Sequence, residues 1–254
     1  MFKKIPFFIA LIFSFSLAKG QENYEIQVYG SSTMAKGQTM FEVHSNYTFN
    51  GSKIIEDGVL PTNHVFHETV EITHGWTPWF ETGIYFFNTL GSDGRTSYVG
   101  SHIRPRVAAP DTWNWPVGVS ISFEFGFQKA AYDANTTTLE IRPIVDKKWG
   151  NLYVSLNPTL EKSFVGPESN QGLIFSPNVK LSYSISKVVA LGPEYYGSTG
   201  PFFHYYNSSD QQHQIYLATD LTFSPDWEFN AGYGWGLTNS TDKAVFKLIL
   251  GRRF

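Results

Sequence analysis

Two short runs place basic and acidic side chains two residues apart: HIRPR at 102–106 and EIRP at 140–143. On a β-strand, residues two apart share a face. Each run would therefore present a row of charges, formed by His102, Arg104 and Arg106 in the first run and by Glu140 and Arg142 in the second. Such a row can select a charged solute, or it can pair internally and stiffen the structure around it. The sequence leaves both alternatives open.

Charged residues occupy comparable positions in most other parts of the chain, Glu42 among them. Together with the two runs they could line one polar interior that holds charges of both signs. The candidate residues for that interior, and for any solute selectivity it has, are Glu81, His102, Arg104, Arg106, Glu124, Glu140, Arg142, Glu161, Lys180, Glu194, Asp220 and Glu228.

The run HETVEITH at 67–74 begins like a helical zinc motif, in which two ligands four residues apart share a face and a glutamate between them acts as a base. Here the residue four after His67 is Glu71, and the threonine and β-branched residues between them favour a strand. A strand places His67 and Glu71 on one face and Glu68 and His74 on the other. We therefore expect polar interior side chains here, and neither a metal site nor a cofactor.

Catalytic motifs are absent from the sequence. The chain has no cysteine, which excludes thiol catalysis, cysteine-ligated zinc and disulfides. Serine and histidine are present, but no G-x-S-x-G elbow occurs. We assign no catalytic residue and expect the protein not to be an enzyme.

The elements that must position the charged rows are strands. Residues 117–128 read VGVSISFEFGFQ, in which apolar and aromatic residues alternate strictly with Gly, Ser, Glu and Gln. This pattern predicts a strand with one apolar and one polar face. The same alternation predicts about twelve strands, with ten to fourteen compatible, at 40–49, 65–74, 79–88, 97–107, 117–128, 137–146, 151–164, 173–185, 188–197, 212–223, 227–237 and 243–254.

The predicted connections alternate in length, as they do in outer-membrane barrels with short periplasmic turns and longer external loops. The external group is 50–64, 89–96, 129–136, 165–172, 198–211 and 238–242. The periplasmic group is 75–78, 147–150, 186–187 and 224–226, and 108–115 is the long exception. The fold class we predict is an all-β, antiparallel, up-and-down transmembrane β-barrel.

The amino-acid composition indicates that the protein surface is in contact with something other than water. Charged residues are only 16% of the 254 residues, and aromatic residues are 17%. The formal charge is −3, so the chain has no basic excess that would bind nucleic acid. Most of the seven tryptophans lie near predicted strand ends, where their rings would suit the membrane interface.

The two ends of the chain carry export signals. Lys3 and Lys4 precede an apolar stretch at 5–18, and small residues follow it, so we expect a signal peptide at 1–20 that is cleaved after Gly20. The final residue, Phe254, resembles the C-terminal signature of bacterial outer-membrane barrels. We expect a periplasmic N-terminal segment at 21–39 and the barrel at 40–254.

Seven segments carry a resemblance to a family of uncharacterised, transporter-like Gram-negative outer-membrane proteins, which is similar to the barrels linked to the meta-pathway of phenol degradation. The resemblance covers nearly everything after residue 21, implies a barrel fold and a transport role, and carries over no site residue. The segments are HETVEITHGWTPWFETGIYFF at 67–87, HIRPRV at 102–107, WPVGVSISFEFGFQ at 115–128, TLEIRPIVDKKWG at 138–150, FSPNVKLSY at 175–183, GPEYYGSTGP at 192–201 and DLTFSPDWEFNAGYGWGLT at 220–238.

The functional expectation is a narrow outer-membrane pore or transporter for a small solute, with the interior charges setting its selectivity. Two alternatives remain: a lipid-modifying outer-membrane enzyme, and a structural barrel with a plugged lumen. The expected partners are outer-membrane lipid, the barrel assembly machinery and an unidentified small solute, and we expect no nucleic acid.

Overall fold

The computed structural model describes residues 23–254. The predicted signal peptide and its cleavage position lie outside the described residues. The twelve strands are β1 (Thr39–Asn50), β2 (Val65–Thr77), β3 (Phe80–Leu90), β4 (Thr96–Ala108), β5 (Gly118–Gln128), β6 (Thr137–Trp149), β7 (Leu152–Val165), β8 (Ile174–Ser184), β9 (Val189–Ser198), β10 (Gln212–Leu221), β11 (Trp227–Gly236) and β12 (Ala244–Arg253). No helix in this part of the chain is long and apolar enough to cross a membrane.

The strands form one closed antiparallel barrel in which each strand pairs with its neighbours in sequence and β12 pairs with β1. The closing ladder runs from Met40 opposite Arg253 to Thr48 opposite Val245, with an irregularity before Asn50. Closure leaves no free sheet edge, so every strand finds two hydrogen-bonding partners. The predicted fold class and strand number are confirmed.

Alternation along the strands separates an apolar outer surface from a polar interior. On β5, Phe123, Phe125 and Phe127 are exposed, whereas Ser122 and Glu124 are buried. An exposed apolar belt of this kind suits lipid, since large apolar patches are rare on proteins that face water. The sheet therefore carries its polar residues on the lumen side.

The connections at the two ends of the barrel differ in length. Short turns at 78–79, 150–151, 185–188 and 222–226 share one end with both barrel termini, and longer loops at 51–64, 166–173 and 199–211 occupy the other end. This asymmetry identifies the first end as periplasmic and the second as extracellular. The exception at 109–117 contains a short 3-10 helix, Asp111–Trp113. Exposed tryptophans concentrate at the periplasmic end, at positions 76, 79, 113, 115 and 149.

The segment before β1 lies inside the barrel. The sequence predicts a periplasmic segment at 21–39, whereas the structure places residues 23–33 in the lumen. Asn23 donates to Asp242 in the extracellular loop at 237–243 (2.8 Å), and Ser31 donates to Asp146 near the periplasmic turn at 150–151 (2.7 Å). The segment therefore runs along the barrel axis before the chain turns into β1.

Polar side chains of the wall hold the backbone of this segment. The Asn157 amide accepts from the Tyr29 backbone N–H (2.8 Å) and donates to the Tyr29 carbonyl (3.0 Å). Thr69 donates to the carbonyl of Tyr24 (2.7 Å), and Lys247 donates to that of Ile26 (3.0 Å). Buried backbone groups need such partners, and a polar lumen supplies them where lipid or an apolar core could not.

Candidate functional site in the barrel lumen

All twelve predicted site residues face the lumen, and all line one of two interior cavities. The cavity on the extracellular side is lined by His102, Glu124, Glu140, Arg142 and Glu161. The cavity on the periplasmic side is lined by Glu81, Arg104, Arg106, Lys180, Glu194, Asp220 and Glu228. Their roles in selectivity remain a prediction.

Arg104 is the centre of an ion-paired cluster on the periplasmic side. Its guanidinium lies 2.6 Å from Glu71 Oε1 and 3.0 Å from Glu81 Oε1, and it also donates to the Tyr85 hydroxyl. A second cation, the Arg106 guanidinium, lies 2.8 Å from Glu81 Oε1. Gly83 makes room for this cluster, because a Cβ there would lie 3.1 Å from both the Arg104 guanidinium and Glu71.

A second cluster occupies the extracellular side. Arg142 lies 2.6 Å from Glu140 on its own strand and 3.1 Å from Glu25 in the N-terminal segment. His102 lies 2.6 Å from Glu124 across the β4–β5 ladder.

The ladder between β4 and β5 skips residues 104–105, and that between β6 and β7 skips residues 142–144. Each gap contains a proline, which lacks a ladder donor.

A third cluster lies on the opposite wall. Lys180 is 3.1 Å from Glu194 and 2.6 Å from Asp220. Glu194 also accepts hydrogen bonds from Lys247 and from the Tyr196 hydroxyl. Arg253 completes the set by pairing with Glu228 at 2.6 Å, close to the periplasmic rim. Buried charges thus carry partners on both walls, as their cost of burial requires.

Tyr29 joins the N-terminal segment to the two arginine clusters. Three guanidinium groups approach its ring, those of Arg104 and Arg142 at 4.9 Å from the centroid and that of Arg106 at 5.6 Å. Its hydroxyl donates to Glu25 (2.6 Å) and lies 3.0 Å from the Tyr85 hydroxyl. Cation–π contacts of this kind strengthen when the cation is desolvated. Tyr29 is therefore the main anchor of the segment.

The two cavities approach each other beside the N-terminal segment. The extracellular cavity has a volume of about 160 Å³, and the periplasmic one about 1350 Å³. Gln27 is in the lining of both. On the facing wall, the lining passes from Asn178 and Tyr196 in the first cavity to Lys180 and Glu194 in the second. Gln27 is thus the lining residue that the two cavities share.

The cavities differ in charge. The extracellular cavity has acidic side chains in excess, with Arg142 and His102 beside Glu25, Asp57, Glu124, Asp133, Glu140, Glu161 and Glu168. The periplasmic cavity mixes both signs, with Arg104, Arg106, Lys148, Lys180, Lys187, Lys247 and Arg253 beside Glu42, Glu81, Glu194, Asp220 and Glu228. A field of one sign at a mouth enriches the opposite sign in solution there. The two ends of the lumen therefore differ in formal charge.

Several lumen residues were not among the predicted site residues. Glu42 and Glu71 are buried, in agreement with the polar interior that alternation predicts for them, although neither was a candidate for selectivity. Lys247 alternates with the outward Phe246 and Leu248 on β12, so the same period of two indicates its inward position. Glu25 and Tyr29 belong to the segment expected outside the barrel, and no period in the sequence indicates that a segment before the first strand enters the lumen.

The extracellular cavity contains one close histidine–carboxylate pair, His102 and Glu124. No serine hydroxyl is hydrogen-bonded to this pair among residues 23–254. His102 contacts Glu124 there, but the hydroxyls of Ser120 and Ser122 on the same strand as Glu124 have no hydrogen-bond partner among residues 23–254. A serine relay needs a hydroxyl within hydrogen-bonding reach of the histidine.

Comparisons by sequence give no relative: no protein-family model matches the chain, and no curated protein matches it. Comparisons by structure give membrane barrels. The COG4313 outer membrane channel from Pseudomonas putida F1 superimposes with a TM-score of 0.61 at 10% identity, over 91% of this chain and 100% of that one. The KdgM porin superimposes with a TM-score of 0.54 at 10% identity, over 85% and 99% of the two chains.

The NanC porin gives a TM-score of 0.54 at 10% identity, over 83% of this chain and 97% of that one. The KdgM porin has also been solved in complex with disordered oligogalacturonate. At these identities the likeness shows the fold alone. The chain therefore has the fold of a bacterial outer-membrane β-barrel, shared with channels and porins, and the comparisons do not confirm the specific phenol-pathway resemblance.

Proposed function

We propose that this protein is a narrow outer-membrane channel for small polar solutes, with a path that runs beside its own N-terminal segment. The observation that carries the proposal is the pair of cavities, one open to each end of the barrel, that share Gln27 in their linings. A barrel of twelve strands falls between small filled barrels and open porins. The segment at 23–33 narrows its lumen further.

The charge of the extracellular cavity suggests the preferred class of solute. A cationic group entering from outside meets the carboxylates of Asp57, Asp133, Glu161 and Glu168 before it meets Arg142. An anionic solute meets the same carboxylates and is disfavoured. We therefore propose that small solutes with a cationic group pass more readily than anionic ones.

Two other solute classes are less well supported by this lumen. Oligogalacturonate, found with the KdgM porin, is a polyanion, and an acidic entrance opposes it. The sequence resemblance to phenol-pathway barrels suggests a phenolic or hydrophobic solute, but the lining of the extracellular cavity is dominated by charged and polar side chains. Binding a hydrophobic solute needs a mainly apolar pocket.

We propose that the signal at 1–20 is removed on export, that outer-membrane lipid covers the apolar belt, and that the barrel assembly machinery inserts the chain through its C-terminal Phe254.

Single-channel recording in a planar bilayer with a salt gradient tests the channel proposal. The purified full chain should give discrete steps and a reversal potential of the sign that marks a preference for cations. Asp133→Asn combined with Glu161→Gln should reduce that preference. Asp93→Asn, in the exposed loop at 91–95, is the matched control and should leave it unchanged. A preference for anions in the unaltered chain would contradict the proposed selectivity.

A second candidate is a barrel closed by its own segment, because residues 23–33 are held in the lumen by many hydrogen bonds. This candidate predicts a folded, heat-modifiable protein that gives no current. The same recording therefore separates the two.

A further inference from the structure

Three buried side chains on two adjacent strands converge on one point of the lumen wall. Glu42 and His44 lie two residues apart on β1, and Glu71 lies on β2 directly opposite Glu42. Residues two apart on a strand share a face, and a cross-strand partner on the same face comes within about 4.5–5.5 Å at Cβ. The structure places one potential ligand atom from each of the three within 4.8 Å of the others.

The atoms that converge here are without hydrogen-bond partners among residues 23–254. They are Glu42 Oε1, both ring nitrogens of His44 and Glu71 Oε2. His44 Nε2 lies 3.5 Å from Glu71 Oε2, which is too long for a good hydrogen bond. Glu42 is 2% exposed, and His44 and Glu71 are fully buried. Buried polar atoms are nearly always satisfied, so this group requires a partner.

The neighbouring cations are already engaged elsewhere. Arg104 and Thr73 both donate to the other oxygen of Glu71, Oε1, at 2.6 Å. These bonds hold the carboxylate so that Oε2 points to the unsatisfied side, as outer partners do for metal ligands. Arg253, the cation nearest the rim, pairs with Glu228 at 2.6 Å. Among the described residues, Glu42 therefore makes no ion pair, and Glu71 Oε2 has only the 3.5 Å contact with His44.

We propose that Glu42, His44 and Glu71 bind a divalent first-row transition-metal ion of the Zn²⁺ class. One imidazole nitrogen and two carboxylate oxygens are the donors that such ions accept. The ion would satisfy the unpartnered atoms of all three groups at once and supply positive charge beside Glu42, which makes no ion pair among residues 23–254. Because Glu42 also lines the periplasmic cavity, an ion would have a route of entry to the site.

This inference does not depend on the channel proposal, since a metal ion could bind to an open or a closed barrel. It also differs from the helical zinc motif considered for residues 67–74. Of the residues in that run, only Glu71 takes part, and its partners come from the neighbouring strand.

Titration calorimetry tests the proposal on the full chain, extracted from membranes in detergent and stripped with a chelator. Zn²⁺ should bind with one equivalent per chain. Glu42→Gln and His44→Gln, which preserve size, should each weaken binding by at least about a hundredfold, since loss of an outer partner alone costs ten- to a hundredfold. Heat-modifiable migration on a gel confirms that each variant is a closed barrel.

His67→Gln is the matched control, because His67 is also buried in the lumen with both ring nitrogens unpartnered. It should bind Zn²⁺ as the unaltered chain does. Co²⁺ gives an independent readout: its visible absorption should appear on binding and be lost in His44→Gln. The proposal is overturned if the unaltered chain does not bind Zn²⁺ stoichiometrically. It is also overturned if Glu42→Gln and His44→Gln bind Zn²⁺ as tightly as the unaltered chain does.

Discussion

Replacement of Tyr29 by alanine should release the N-terminal segment from the lumen. The change removes the ring that lies against Arg104, Arg106 and Arg142, and it removes the hydroxyl that donates to Glu25. The strands of the barrel do not depend on Tyr29, because their ladders are complete without it. The expected effect is therefore on docking of the segment and not on the barrel.

The magnitude follows from the contacts. Truncation of a buried aromatic side chain to alanine costs about 3–5 kcal/mol of stability. Each desolvated cation–π contact accounts for about 0.5–2 kcal/mol of that loss. A loss of about 3–5 kcal/mol raises the undocked population by roughly a hundredfold to a few thousandfold. Tyr29→Phe keeps the ring and loses only the hydroxyl bonds, so its effect should be about 1–3 kcal/mol.

The chain has no cysteine, so a single introduced thiol reports on docking. Ile26 is 1% exposed in the lumen, and Ile26→Cys should react slowly with a maleimide while the segment is docked. Adding Tyr29→Ala should speed this reaction roughly in proportion to the undocked population, and the mean channel current should rise. Tyr205→Ala, at an exposed loop position, is the control for a tyrosine outside the lumen.

Reaction rates that agree within about threefold, with and without Tyr29→Ala, would refute the reasoning. That result would mean that other contacts hold the segment and that the three guanidinium groups contribute little to docking.

Three further predictions concern the barrel itself. Arg104→Met should lower the free energy of unfolding in urea by about 3–5 kcal/mol, because it leaves buried carboxylates without their cation; a loss below about 1 kcal/mol would contradict the ion-paired cluster. Gly126→Val should cost about 1–3 kcal/mol in the same assay, since a Cβ there would overlap the His102 ring at 2.1 Å. Leu217→Arg, on the exposed apolar belt near the middle of β10, should cost about 2–4 kcal/mol in lipid vesicles; a neutral effect would argue that lipid does not cover that face.

The fold was predictable because the two environments of a barrel strand impose a sequence pattern with a period of two. Lipid on one side and water on the other force apolar and polar residues to alternate, as they do at 117–128. The rows at 102–106 and 140–143 were predictable for the same reason, since charged residues at every second position can only face the lumen.

The partners of those charges were not predictable. Arg142 pairs with Glu25, which lies 117 positions earlier in the chain, and nothing in the local sequence signals that contact. The cluster of Glu42, His44 and Glu71 depends on the register between β1 and β2, and a shift of one residue would turn one strand's side chains outward. The inward course of residues 23–33 depends on hydrogen bonds to scattered lumen side chains, which have no period.

Recording the current through Gln27→Cys before and after treatment with a bulky thiol reagent tests the channel proposal most directly. Gln27 is in the lining of both cavities and so lies on the proposed path, where its modification should abolish the discrete steps that the unmodified variant shows. Asp93→Cys, in an exposed loop away from both cavities, should conduct equally before and after treatment. Steps that persist after complete modification of Gln27→Cys would place the path elsewhere, and the absence of steps in the unmodified protein would contradict a channel.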